Sequence, residues 1–191
     1  MTEPIDGAPW RRVKWTRAGQ VAGLAGAGDA LDGLGDASPA AAFAQLRRDD
    51  PMAAARFMAQ CLPRFDAMQW MFSALERSPP PGPRHAEIRS GIAGWLADPS
   101  DKRRRAVFDL AQAVGIDTPD ATAGLALFLS GGSMTPPELE HGIQPPPGVF
   151  GQAVAGTILL AGQARGAENF DDELDALLGI GLAIAVSEDA H

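Results

Sequence analysis

At four places between residues 38 and 119 a helix-capping side chain stands directly before a proline and ahead of a helix-forming run: Ser38-Pro39, Asp50-Pro51, Asp98-Pro99 and Thr118-Pro119. A hydroxyl or carboxylate at the N-cap accepts a hydrogen bond from an orphan amide of the first turn. Proline is pre-set for the first helical position, so each pair predicts a helix start. The stops are as clear. Leu62-Pro63 separates MAAARFMAQCL from RFDAMQWMFSALER, and the run SPPPGP at 78–83 cannot continue a helix, because proline lacks the amide hydrogen and its ring clashes with the preceding turn. HAEIRSGIAGWLA, SDKRRRAVFDLAQAVG and ATAGLALFLS follow, then two longer helices over about 148–165 and 169–187. No segment alternates with period two, so the expected fold is all-α, a compact bundle of about six to eight helices.

The apolar patterns order these helices by depth. In 64–77, Phe65, Met68, Phe72 and Leu75 make one stripe while Trp70, Met71 and Ala74 cover a second face, which predicts a helix near the centre of the core. Ile88, Ile92, Trp95 and Leu96 form a single stripe, as do Val107, Leu110, Ala111 and Val114. AVAGTILLAG at 153–162 and LLGIGLAIAV at 177–186 are each about ten residues, whereas a bilayer span takes roughly 20. They read as a buried hairpin, not a membrane insertion, with Ala155, Gly156, Gly162, Gly179 and Gly181 letting backbones approach closely.

Two segments stand outside this pattern. Residues 18–37 are glycine-rich without a sustained apolar face and read as a flexible linker, which divides the chain into an N-terminal arm and linker over 1–37 and a helical domain over 38–191. SGGSMTPPELEHGIQPPP at 130–147 is a long Gly/Pro-rich loop inside the most apolar third. Its prolines restrict the unfolded chain and so favour an ordered loop. One reading is a strap pinned by Met134 and Ile143. The other is a partner-binding rim, since extended proline segments present a preformed shape with free carbonyls.

Composition removes several classes of function. Cys61 is the only cysteine, so there is no disulfide framework, and no Cys/His cluster has metal spacing; no cofactor or metal is expected. The net charge of −8 argues against nucleic acid and anionic membranes as partners. That charge is uneven: residues through Arg105 hold 15 of the 16 basic residues and half of the 24 acids, leaving Arg165 alone against 12 acids thereafter. The start MTEPIDGAPWRRVKW lacks a basic stretch followed by an apolar one, which points to a cytoplasmic protein.

No catalytic residue is assigned. SGGS at 130–133 lacks the G-x-S-x-G context and follows a helix end, and Glu138, Glu140 and His141 in a loop read as solvated groups. Lys102 to Arg105 read as a solvated face paired with Asp98 and Asp101. The arm carries Trp10, Arg11, Arg12, Lys14 and Trp15, and aromatic and arginine side chains dominate interface energetics. Those five, with Met134, Pro136, Pro137, Glu138 and His141 of the loop, are the candidate partner-binding residues. The arm could equally fold back on the chain's own acids, such as Asp171, Asp172 and Glu173, or pack on a second copy in a homo-oligomer. The functional expectation is a non-catalytic adaptor, chaperone or accessory protein that binds another protein; the alternative is an enzyme with a polar site beside 130–147.

Leu62-Pro63 before an aromatic-bearing helix, Thr118-Pro119, Ser130 to Ser133, Pro136-Pro137, Pro145 to Pro147 and Ala153 to Gly156 together resemble an uncharacterised bacterial family of unknown function. The resemblance covers about residues 50–165. Genes of that family are loosely associated with type VI secretion clusters, so the resemblance implies an accessory or adaptor role in a bacterial secretion system.

Overall fold

A computed structural model describes residues 9–26, 29–115, 117–136 and 141–188. Among these there are nine α-helices and no strand: α1 (Gly19–Ala25), α2 (Pro39–Asp49), α3 (Pro51–Cys61), α4 (Arg64–Leu75), α5 (Pro83–Ala97), α6 (Asp101–Val114), α7 (Pro119–Leu129), α8 (Val149–Gln163) and α9 (Phe170–Val186). The expected caps hold. Ser38 Oγ accepts from the amide of Ala41 at 3.2 Å, Asp50 Oδ1 from Ala53 at 2.9 Å and Thr118 Oγ1 from Ala121 at 3.3 Å. At the fourth site the cap is Ser100 rather than Asp98. Asp98 ends α5 instead, its amide bonded to Gly94 O at 3.1 Å, and its carboxylate meets Arg103.

Helix α8 lies at the centre, against α3, α4, α7 and α9, and α4 in turn touches α5, α7 and α9. Trp70 of α4 is fully buried, and its indole N–H donates to Leu177 O of α9 at 2.8 Å. The buried face of α4 is the one bearing Ala67, Met68, Trp70, Met71, Ala74 and Leu75, while Phe65 stays exposed. Helix α9 reaches the indole because position 181 is glycine: a Cβ there would lie 2.8 Å from Trp70 Cε2. Close approach recurs where α7 meets α6, since a Cβ on Gly124 would sit 2.6 Å from Ala111 Cβ. The two apolar runs at 153–162 and 177–186 therefore lie in packed helices, and no described helix is long and apolar enough to cross a membrane.

The largest departure from expectation is at 18–37, read as linker but folded here into α1 and a 3-10 turn at Asp29–Leu31. Backbone bonds from Ala18 N to Ala37 O and from Gly19 N to Gly35 O, both 2.9 Å, fasten its ends together. Ala18, Val21, Ala25 and Leu31 are buried. A stripe made mostly of alanine is faint in a hydropathy pattern, yet alanine seals a contact well when backbones lie close.

Candidate functional site

The N-terminal segment lies against the bundle. Trp10 is buried beside Phe43 of α2, ring centroids 5.3 Å apart, and Arg12 forks onto Asp66 in the first turn of α4 with bonds of 2.7 and 2.8 Å. Asp66 is itself buried, so this pairing meets the need of a carboxylate removed from water. The backbone amide of Arg12 also reaches Ala185 O at the end of α9, and Arg11 pairs with Glu188. Of the acids expected to face the arm, Glu173 is bonded to Arg77 instead. Lys14 and Trp15 remain exposed.

The loop after α7 is held by arginines that sequence alone assigned to a solvated face. Arg104 is buried: it donates to Phe128 O at the end of α7, to Ser133 O at 2.8 Å and to Asp101, with its guanidinium 4.6 Å above the Phe128 ring. Arg105 donates to Ser133 O and Thr135 O, both at 2.8 Å, and to Asp101. These cations sit at the first turns of α6, an unfavourable end of the dipole, but also at the C-terminus of α7, which favours them. Hydrogen bonds from Arg105 and then Arg104 hold the Asp101 carboxyl below its usual range. Farther along, the loop closes on itself through Met134 N to Ile143 O at 2.7 Å. Ile143 does not pin it: that side chain is 58% exposed, and arginine bonds to backbone carbonyls do the anchoring. Pro136 and His141 are exposed, Met134 is half-buried, and Pro137 and Glu138 lie outside the described residues. Ser130 Oγ donates to Leu127 O at 2.7 Å. No group of potential metal ligands is found among the described residues.

The structure brings Lys14 and Trp15 together with the proline run of the same loop. They line a groove of about 840 Å³ whose other walls are α1, the α3–α4 junction, the end of α7 and the first turn of α8. Gln60 builds its floor. Its amide nitrogen donates to Leu24 O at 3.1 Å and to Gly148 O at 2.8 Å, tying α1, α3 and the start of α8 together. Gly151 must be glycine for this, since a Cβ there would fall 2.5 Å from the Gln60 side chain. Gln60 was missed by sequence reasoning; its only signal is a lone amide in the apolar run before Leu62-Pro63. The groove also holds Leu129, Phe150 and Arg64, and none of Met134, Pro136 and His141 is among its lining residues. Cys61 lies along it but is buried, and burial pushes its thiol up, so it is a protonated packing group.

A second cleft, of about 480 Å³, opens between α4, α5, α7 and α8 and carries Arg77, Arg89, Arg165 and Asp120. Arg89 is bonded to the fully buried Asp120 and to Ser78 O at 2.5 Å. Arg77 forks onto Glu173, with Arg165 3.6 Å away, and the hydrogen bond from Arg77 is the main cause that holds the Glu173 carboxyl below its usual range. Each carboxylate here is engaged by a guanidinium, an arrangement that neutralises buried charge and leaves no poised acid and base.

No curated protein and no solved structure matches the chain. A family model does, and its match begins at Trp15, so that Trp10, Arg11 and Arg12 precede it. Spanning residues 15–185, it covers the groove's lining residues from Trp15 onward and both cleft ion pairs, and the chain belongs to that family, a family of unknown function (DUF6931).

Proposed function

We propose that this protein is a non-catalytic adaptor, chaperone or accessory protein, and that it holds a partner protein in the groove between Trp15 and Pro145 to Pro147. The observation that carries the reading is the composition of that groove. An exposed indole, a proline run and Phe150 surround a cavity of the size that holds small ligands or a few side chains, and no acid–base pair lines it among the described residues. Aromatic side chains bordering a preformed proline segment are the means by which many modules grip extended peptides. The enzyme alternative needs a reactive cluster beside 130–147. His141, the described member of the expected cluster, lines neither cavity. Following the family resemblance, we place the role in a bacterial secretion system.

A photo-crosslinking residue at position 15, with one at the exposed Lys102 of α6 as control, tests this in native cells. One discrete protein adduct at position 15 and none at 102 is the expected outcome. Identical labelling at both positions would refute the groove as a binding site, and an adduct unrelated to secretion would remove the proposed setting while leaving the binding function.

A further inference from the structure

We infer that the segment the groove accepts is acidic: an extended stretch of a partner protein in which a bulky apolar side chain is flanked by carboxylates. This rests on the binding function proposed above and goes further by naming the chemistry of the occupant. The argument is electrostatic. In a chain of net charge −8, the described residues that line the groove include two cations, Lys14 and Arg64, and no acid. Neither cation makes an ion pair among the described residues, whereas Arg12, Arg77, Arg89, Arg104 and Arg105 are each bonded to a carboxylate. Two like charges along one apolar furrow raise its positive potential and disfavour a basic occupant. The same groove carries apolar contacts: Trp15, 37% exposed, with Leu129, Phe150 and the prolines. An indole beside a lysine suits an apolar residue next to an acid. The backbone adds a further element. The carbonyls of Pro145 and Pro147 accept no hydrogen bond among the described residues, so they are open to amide N–H groups of an extended chain.

The test is a selection of phage-displayed random dodecapeptides on the immobilised full-length protein, followed by fluorescence titration of the enriched peptides. Enriched sequences should be net acidic with at least one bulky apolar residue. Their affinity should fall at least about tenfold in the Lys14→Glu/Arg64→Glu double variant, since two rim attractions become repulsions, and it should weaken with added salt. An unchanged melting temperature shows that the double variant is folded. Enriched sequences that are neutral or basic, yet depend on Trp15 in a Trp15→Ala variant, would overturn the acidic occupant and leave the binding function standing. Peptides indifferent to all three side chains, or no enrichment at all, would overturn both. Sedimentation showing a dimer that dissociates in the double variant would assign the groove to a second copy of this chain and likewise overturn the proposal.

Discussion

The two concave surfaces use similar residues and differ in how their charges are satisfied. In the cleft between α4, α5, α7 and α8, guanidiniums engage Asp120 and Glu173, which are almost wholly removed from water. In the groove beside Pro145 to Pro147, Lys14 and Arg64 meet no acid among the described residues. A buried charge must meet its partner as the chain folds, because leaving it alone costs several kcal/mol. An exposed cation carries no such demand and stays available. The contrast separates charges that hold this fold together from charges that can meet another molecule, which rank by rank of residue type would not.

The sharpest way to break that distinction is Arg89→Ala, which strands Asp120 in the interior. The loss should be about 3–5 kcal/mol, out of a total near 5–15, lowering the melting temperature by roughly 10 °C by circular dichroism. Replacing both partners, Arg89→Met with Asp120→Leu, should recover most of it. A single variant with wild-type stability would show that the cleft pairs are not structural.

Next in size is Arg104→Ala, which removes donors from the carbonyls of Phe128 and Ser133 and should cost about 2–3 kcal/mol. Limited proteolysis should then cut early within 130–136, a stretch expected to resist in the wild type. Arg104→Lys should not rescue it, since an ammonium cannot reproduce the fork.

Acid sharpens the comparison from the cleft side. Because Arg77 depresses the Glu173 carboxyl in the folded state, the pair's contribution is fully present above the unfolded glutamate value of about 4.3 and is lost as pH falls through the lower folded value. Denaturant unfolding followed between pH 5 and about pH 3 should therefore be less steep in pH for Glu173→Gln than for wild type. Equal slopes would contradict the assignment.

The smallest effects belong to the groove. Lys14→Glu and Arg64→Glu should each leave unfolding free energy within about 0.5 kcal/mol of wild type. A larger loss in either of them would make that side chain a structural member.

Much of the helical framework could be read from the chain. Capping pairs such as Ser38-Pro39 act through bonds three residues away, so local sequence determines them, and the apolar density around Trp70 marks α4 as a deeply buried helix for the same local reason. The candidate site was legible only at its ends. Trp15 stood out as an exposed aromatic and the loop as an anomaly, but their meeting did not. Gln60, which ties α1 to the start of α8 in the groove they share, donates to carbonyls 36 and 88 positions away in sequence. Helix α1 escaped notice because alanine and glycine give no amphipathic signal.

What the sequence by itself determined is therefore whatever depends on neighbours along the chain: where helices begin and end, which are apolar on most sides, and that 130–147 cannot be helix. Tertiary structure alone decided which charges are buried. Lys102 to Arg105 look alike in sequence, yet Arg104 and Arg105 anchor a loop while Lys102 faces water, because carbonyls at the end of α7 and in the loop after it accept from Arg104 and Arg105. The functional character of a charged residue here follows from the partner that folding brings to it, and that partner lies in a distant part of the chain.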